Sequence, residues 1–113
     1  MRQGEIWEIT VSPTGGAEIK KNRPAVIIND DAIGILPLKV IVPITAWKNR
    51  YHGAMWMVRI DPDSENKLSK ISAIDTFQIR SISTKRLVRK VGSVSSNVLD
   101  QVKTAIKAVI DAD

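Results

Sequence analysis

The segment 15–28 (GGAEIKKNRPAVII) places a carboxylate and three cations ahead of an apolar run, namely Glu18, Lys20, Lys21 and Arg23. An arginine carries a planar fork of hydrogen-bond donors that fits a phosphate, and lysines add point charges. A nearby glutamate can accept or donate a proton in an acid–base step. The same residues would also suit a solvated surface loop in which Glu18 forms only exposed charge pairs. The segment therefore suggests a site for an anionic group without excluding an ordinary loop.

Three further groups of polar or aromatic side chains could belong to the same site. Thr45 ends an apolar stretch and offers a hydroxyl that can donate to a phosphate oxygen. Gln78 and Arg80 alternate with apolar residues in 77–81 (FQIRS). The segment 46–53 (AWKNRYHG) is basic and aromatic, a combination that binds phosphates and stacks on bases. Its candidate nucleic-acid-binding residues are Trp47, Lys48, Arg50, Tyr51 and His52. Taken singly, each group also fits a structural role at a strand end, in a half-buried loop or on the outer face of a strand.

Composition limits the chemistry that the chain can perform. The 113 residues suffice for one domain, spanning 1–113, and include no cysteine and one histidine, His52. Thiolate nucleophiles, disulfides and paired-histidine catalysis are therefore excluded, and we expect no metal or other cofactor. The net charge of +5 favours an anionic partner such as nucleic acid. The segment 1–7 (MRQGEIW) shows no apolar leader, and no apolar run approaches the ~20 residues of a membrane span, so we expect a cytoplasmic protein.

Hydrophobic periodicity predicts short strands followed by one helix. Alternating or β-branched apolar residues favour six or seven strands, drawn from 5–11, 25–28, 38–45, 55–60, 71–82 and 88–94. Segment 71–82 is expected to be one long strand or two strands with a bulge. Pro43 should bend its strand or place it at a sheet edge, and Pro24 should hold Arg23 extended.

The C-terminal segment has a different pattern. From Ser95 onward, apolar residues recur every three or four positions, which indicates an amphipathic helix with Ser95 or Ser96 as its cap. Ser83 can cap a short helical turn over 83–87. The predicted fold is mainly β (α+β): a strongly bent sheet closed into a small barrel, with the helix lying on it. The two glycines at 15–16 would then form a hinge for the cationic loop, with Arg23 at its base.

The order of the short motifs resembles the MazF/PemK family of toxin endoribonucleases from bacterial toxin–antitoxin pairs. No motif is specific by itself, but together they cover nearly the whole chain. In order they are GEIW (4–7), PTGG (13–16), Glu18, RPAVII (23–28), VPIT (42–45), FQIRS (77–81), RL (86–87) and VG (91–92), followed by the terminal helix.

The resemblance implies an SH3-like β-barrel that forms a homodimer and binds single-stranded RNA in a groove at the dimer interface. It implies metal-independent cleavage at short sequences, which leaves a 2′,3′-cyclic phosphate and a 5′-hydroxyl. It also implies a cognate antitoxin that inserts an extended acidic segment across the groove, for which a chain of net charge +5 is a plausible match.

The resemblance assigns roles to individual residues. The family's catalytic arginine and threonine fall on Arg23 and Thr45. We expect Arg23 to stabilise negative charge, with proton donation as its alternative role, and Thr45 to hydrogen-bond a phosphate oxygen. A glutamate that belongs to some family sites falls on Glu18, which is our candidate base.

The family's glutamine falls on Gln78, in FQIRS. Some relatives carry an acidic residue just before that glutamine, where this chain has Phe77. Asp75 stands two positions before Phe77. If an acidic group is required beside the glutamine, this departure changes the site.

Two other functions fit the same residues. A toxin of similar fold could inhibit a protein target such as a topoisomerase, as CcdB-type toxins do. The chain could also be a basic nucleic-acid-binding module without turnover. Arg23, Thr45 and Glu18 together favour cleavage, because a protein that only binds does not require all three. A cleavage assay separates the first hypothesis from the third.

Overall fold

Seven strands and a C-terminal α-helix form the fold in the computed structural model, which describes residues 1–11 and 21–113. The elements are β1 (Glu5–Val11), β2 (Lys21–Ile27), β3 (Leu38–Ala46), β4 (Met57–Ile60), β5 (Ser72–Asp75), β6 (Arg80–Ser83), β7 (Leu87–Ser93) and α1 (Ser96–Val109). Short 3-10 turns occupy Asp31–Ile33, Asn49–Tyr51, Thr76–Gln78 and Thr84–Arg86. Every strand pair is antiparallel. The predicted mainly β fold with a terminal helix is confirmed.

The sheet is organised around β3. One edge of β3 pairs with β2, and β1 and β7 follow beyond β2. The other edge pairs first with β6 and then with β5, and β4 follows beyond β5. Among the described residues, this order is an open path from β4 to β7, so the ladder of strands does not close into a ring.

The β2–β3 ladder ends where two prolines lie. Its last pair is Ala25↔Pro43, and Pro24 precedes Ala25 on β2. A proline has no N–H to donate, so neither proline favours continuation of the ladder. Beyond this point β2 follows β1 to Lys21, whereas β3 follows β5 from Ile44. Pro43 was predicted to bend β3 or to place it at a sheet edge; β3 is not an edge strand, and Pro43 lies where β3 changes partner from β2 to β5.

Two apolar cores lie on opposite faces of the sheet, because alternate residues of each strand point to opposite sides. The larger core comprises Ile6, Val26, Val42, Ile44, Val58, Ile60, Ile74, Val102 and Ala105. The smaller core comprises Ile9, Ala25, Ile27, Ile41, Ile82 and Leu87, with Trp7 packed against it. Full burial of one such aliphatic side chain is worth about 1.5–3 kcal/mol. Slipping a strand by one residue would exchange its core residues for polar ones, so the cores fix the register on which the candidate site depends.

The helix α1 covers the larger core. Ser95 is its N-cap, and its hydroxyl oxygen accepts a hydrogen bond from the Val98 N–H at 3.1 Å. Val102 and Ala105 are buried against the sheet. The predicted terminal helix is confirmed, and Ser95 rather than Ser96 provides the cap. Ser83 also caps the short turn that was predicted after it, by accepting from the Lys85 N–H.

The start of β2 differs from the sequence prediction. The strand begins at Lys21 rather than at Ala25, so Arg23 and Pro24 lie within it. Pro24 does keep Arg23 in extended backbone, as predicted, but Arg23 is a strand residue and not the base of a loop. The glycine hinge predicted at 15–16 lies outside the described residues.

The segment 71–82 also differs in detail. It forms two strands, β5 and β6, separated by the 3-10 turn Thr76–Gln78. The carboxylate of Asp75 caps this turn by accepting a hydrogen bond from the Phe77 N–H at 3.1 Å. Gln78 therefore lies on a turn rather than on the outer face of a continuous strand.

The GEIW motif has a structural role centred on Glu5. Its Oε1 accepts hydrogen bonds at 2.9 Å from the Trp7 indole and from the Arg2 N–H. The N-terminal ammonium lies 3.3 Å from the same oxygen, and Lys90 Nζ lies 3.1 Å from Oε2. Burial raises the pKa of the Glu5 carboxyl, but these donors outweigh burial and lower the pKa to about 2. Glu5 thus joins the N-terminus and β1 to β7.

The glycine of the VG motif permits a close approach between β7 and the loop 61–68. A Cβ on Gly92 would collide with the carbonyl oxygen of Glu65 and lie 2.7 Å from that of Asn66. The neighbouring Ser93 N–H donates to the Glu65 carbonyl at 3.0 Å. Gly92 is therefore required for packing.

Candidate active site

Arg23 and Thr45 lie on neighbouring strands and on one face of the sheet. The last β2–β3 pair is Ala25↔Pro43, and Arg23 lies two residues before Ala25 whereas Thr45 lies two residues after Pro43, just beyond the end of that ladder. Residues two apart on a strand share a face, so both lie on the face of the smaller core, at its rim. Arg23 is exposed and Thr45 is half-buried. A guanidinium and a hydroxyl therefore flank the place where β2 and β3 cease to pair.

Asp75 extends this face onto β5. Thr45 pairs with Ala73, and Asp75 lies two residues after Ala73 on β5, so the alternation of the strand places Asp75 on the same face as Ala73. The side chain of Gln78, on the turn that follows, donates from Nε2 to Asp75 Oδ2 at 2.8 Å. Cationic, hydroxyl and amide groups are thus gathered on one face of three adjacent strands.

Arg80 adds a second arginine on the same face. It begins β6 opposite Ile41, a residue of the smaller core. Within residues 1–11 and 21–113, the cationic partners in ion pairs are the N-terminus, Arg2, Arg59, Arg89 and Lys90. Neither Arg23 nor Arg80 takes part in them. Both arginine side chains are exposed, and positive charge on an exposed face favours an anionic ligand.

The loop after β3 forms an aromatic cluster around Trp47. Its ring centroid lies 5.7 Å from that of Tyr51 and 6.3 Å from that of His52, both edge-to-face. The Arg59 guanidinium lies over the Trp47 ring at 5.7 Å, and Arg50 lies over Tyr51 at 5.5 Å. Trp47 is half-buried by these neighbours, whereas Arg50 and His52 are exposed. The exposed members of the loop are thus better placed for a ligand than Trp47.

The predicted site residues that the structure describes fall into two groups. Those on the face of the smaller core, or on the turn beside it, are Arg23, Thr45, Gln78 and Arg80. Those of the loop that follows Thr45 are Trp47, Lys48, Arg50, Tyr51 and His52. The backbone of Lys21 belongs to β2. Glu18 and Lys20 lie outside the described residues.

Two features beside the site were not predicted from the sequence. One is the Asp75–Gln78 hydrogen bond, although an aspartate before a turn commonly bonds a backbone N–H two residues on, so the DTFQ spacing carried a usable signal. The other is an exposed aromatic pair, Trp56 and Phe77, with ring centroids 6.2 Å apart and Phe77 66% exposed. No local pattern links these two residues, because Trp56 precedes β4 and Phe77 follows β5, and only the pairing of the two strands brings them together.

Two observations concern the described part of the chain as a whole. In it, no three His, Cys, Asp or Glu side chains group as a metal site would require. None of its helices has the length and apolar character needed to cross a membrane. Metal-independent chemistry stays a prediction.

Known proteins resemble this chain along nearly its whole length. Residues 2–110 match the family model described as "PemK-like, MazF-like toxin of type II toxin-antitoxin system". The chain belongs to this family. It is similar to Endoribonuclease MazF9 of Mycobacterium tuberculosis, at 31% identity over 98% of this chain and 97% of that protein. It is also similar to Endoribonuclease PemK of Escherichia coli, at 28% identity over 94% of this chain and 82% of that protein.

A solved structure supports the fold of this PemK/MazF family member. The MazE–MazF structure from Deinococcus radiodurans matches with a TM-score of 0.80 at 18% identity, covering 100% of this chain and 98% of that chain. At this identity the likeness concerns the fold alone. It confirms the antiparallel sheet with a terminal helix, and the family match confirms the resemblance found in the sequence motifs.

Proposed function

We propose that this PemK/MazF family member is an endoribonuclease toxin that cuts single-stranded RNA at short sequences, without a metal ion. Two relatives described above are named endoribonucleases, which supports the reaction class. The observation that carries the proposal is that Arg23 and Thr45 flank the end of the β2–β3 ladder, on the sheet face of the smaller core. We place this activity in the cytoplasm, which is consistent with a chain that has no cysteine.

RNA supplies its own nucleophile in this reaction. The 2′-oxygen bonds to the adjacent phosphorus and loses its proton, and the bond from phosphorus to the 5′-oxygen breaks as that oxygen gains a proton. The products are a 2′,3′-cyclic phosphate and a 5′-hydroxyl. The protein must hold the phosphate, stabilise the additional negative charge in the transition state and move two protons.

Each proposed catalytic residue meets one of these needs. The Arg23 guanidinium donates to the phosphate oxygens and stabilises their charge, because its donors are planar and permanently cationic. The Thr45 hydroxyl donates to a non-bridging oxygen. Fixed donors aimed at developing charge contribute about 3–4 kcal/mol each in comparable sites. Glu18, outside the described residues, is the proposed base.

The flanking nucleotides would lie along the basic loop and the Gln78 turn. The exposed Arg50 and His52 contact phosphates or bases there, and Lys20, Lys21 and Arg80 add charge. We further propose that the chain forms a homodimer whose interface completes the RNA groove, and that a cognate antitoxin neutralises it. The neighbouring MazE–MazF structure supports the latter partner by its title.

The direct test is a cleavage assay on a long unstructured RNA in the presence of EDTA, with new 5′ ends mapped by primer extension. We expect cuts at one recurring short sequence. Arg23→Ala and Thr45→Ala should each slow cutting by about 100-fold or more, since each removes a donor to the transition state. The matched control is Arg89→Ala, which removes a β7 arginine paired with Glu8 and should cut at the wild-type rate.

Three results would overturn the proposal. RNA binding without cutting would indicate a nucleic-acid-binding module. Neither cutting nor binding would indicate a toxin that inhibits a protein. Cutting that Arg23→Ala leaves unchanged would remove the arginine from the site.

A further inference from the structure

Both oxygens of the Asp75 carboxylate are engaged by the turn that follows it. Oδ1 accepts from the Phe77 N–H at 3.1 Å, and Oδ2 accepts from Gln78 Nε2 at 2.8 Å. Asp75 is 8% exposed, whereas Gln78 is exposed. The carboxylate therefore holds the Gln78 side chain from the protein side and leaves its other side to solvent.

This contact fixes which atom of the Gln78 amide points outward. A carboxylate only accepts hydrogen bonds, so the amide must present its NH₂ group to Asp75. The carbonyl oxygen Oε1 then lies on the opposite side of the amide carbon. Within the described residues, no donor is hydrogen-bonded to that oxygen. Gln78 thus offers a hydrogen-bond acceptor toward solvent.

The turn that carries Gln78 is held at a second point. Thr76 is fully buried, and its hydroxyl and its N–H both donate to the Trp56 carbonyl, at 2.6 and 3.0 Å. This turn packs against β3, the strand that ends near Thr45. A side chain held on a rigid support can distinguish ligands more sharply than one on a mobile loop.

We propose that Asp75 is a positioning residue that makes Gln78 select adenine or cytosine beside the cut phosphate, by contact with the purine 6-position or the pyrimidine 4-position. At these positions adenine has its N6 amino group and cytosine its N4 amino group, and both donate, whereas guanine has the O6 acceptor and uracil the O4 acceptor. The outward Oε1 of Gln78 accepts a hydrogen bond from adenine or cytosine there, but faces another acceptor in guanine or uracil. This inference rests on the proposed function, because it assumes that single-stranded RNA occupies this face.

The experiment measures base preference in two ways with the same randomised single-stranded RNA pool. In the first measurement, the RNA that the protein retains at equilibrium is sequenced. In the second, the ends produced by cutting are sequenced. For the wild type, one position of the motif should favour adenine or cytosine over guanine or uracil by about 10-fold. Gln78→Ala should abolish the preference at that position and keep those at the others.

Asp75→Asn reverses the amide in a nearly isosteric way. Its Oδ1 keeps the bond to the Phe77 N–H, so its NH₂ group faces Gln78 and requires the Gln78 carbonyl. The Gln78 NH₂ then points outward, and the preferred base at that position should change to guanine or uracil. Adding Gln78→Glu to Asp75→Asn restores an outward acceptor and should restore adenine or cytosine.

The matched control is Asp63→Asn, because Asp63 also caps a turn, by accepting from the Glu65 and Asn66 N–H groups. It should leave every base preference unchanged. The proposal is overturned if Asp75→Asn keeps the wild-type preference, or if it weakens all positions equally. If the wild type does not cut RNA but the retained RNA still shows the base preference, the proposed ribonuclease activity is refuted and the role of Asp75 is supported. A wild type that retains no RNA would overturn both.

Discussion

Replacing Glu5 with glutamine should destabilise the protein at neutral pH and do so progressively less in acid. Glu5 accepts hydrogen bonds from Trp7 and Arg2 and faces two ammonium groups, which lower its pKa from the ordinary 4.5 to about 2. Since one pKa unit corresponds to about 1.4 kcal/mol, this lowering sets an upper limit of about 3 kcal/mol on its contribution. The side chain is 15% exposed, so partial solvent screening reduces the expected loss in Glu5→Gln to about 1–2 kcal/mol.

The sign of the pH dependence follows from the lowered pKa. A carboxyl with a folded-state pKa below its unfolded value stabilises the fold above the unfolded pKa, and this contribution is lost as pH falls toward the folded pKa. The difference between the wild type and Glu5→Gln should therefore be full at pH 7, begin to shrink near pH 5 and be nearly gone at pH 2. Urea unfolding followed by tryptophan fluorescence, at one fixed protein concentration, measures it.

The matched control for this series is Glu8→Gln. Glu8 pairs with the exposed Arg89 at 2.7 Å, a surface ion pair that should be worth less than about 1 kcal/mol. The reasoning is refuted if the two variants lose equal stability at pH 7, or if the Glu5→Gln difference is the same at pH 7 and pH 3.

Two further predictions concern the fold. Gly92→Ala should cost at least about 2 kcal/mol in urea unfolding, because the added methyl group meets the Glu65 carbonyl. Gly53→Ala, in open space but at a φ of +83°, should cost only about 1 kcal/mol; equal losses would contradict the close approach at β7. Ser95→Ala should lower the free energy of unfolding by about 1 kcal/mol through loss of the α1 cap, whereas Ser96→Ala should be near neutral. The opposite order in unfolding experiments would assign the cap to Ser96.

Most secondary-structure elements could be predicted because their signals are local. The alternation in EIWEITV gave β1 its full extent, and the period of three to four residues after Ser95 gave α1 with its cap. The start of β2 was missed because proline normally weakens a strand. In this sheet the last β2–β3 pair is Ala25↔Pro43, so Pro24 lies just beyond that ladder and its missing N–H removes no β2–β3 hydrogen bond.

The break in 71–82 was missed for a different reason. The FQIRSI pattern alternates as a strand does, yet the chain turns at Thr76–Gln78. The Asp75 cap is local, but the bonds from Thr76 to the Trp56 carbonyl are not, because Trp56 lies 20 residues earlier, in the turn before β4. The alternation of apolar and polar residues within one segment cannot reveal a hydrogen bond to a residue in another segment.

The candidate site was located by family resemblance rather than by spacing. Arg23 and Thr45 are distant in sequence, and only the pairing of β2 with β3 brings them to the same end of one ladder. Glu5 and Gly92 are the opposite case, because they belong to family motifs but have no part in the candidate site. Their motifs helped to identify the family, yet the contacts of both residues are structural.

The most direct test of the central claim, that Arg23 and Thr45 act on one phosphate, is a double-mutant cycle. Cleavage kcat/KM is measured for the wild type, Arg23→Ala, Thr45→Ala and the double variant on one RNA that contains the cut motif. Because residues that act as a unit are not additive, the double variant should lose far less than the product of the two single losses. If the single losses multiply, the two residues act independently, and if either single variant cuts at the wild-type rate, the paired site is wrong.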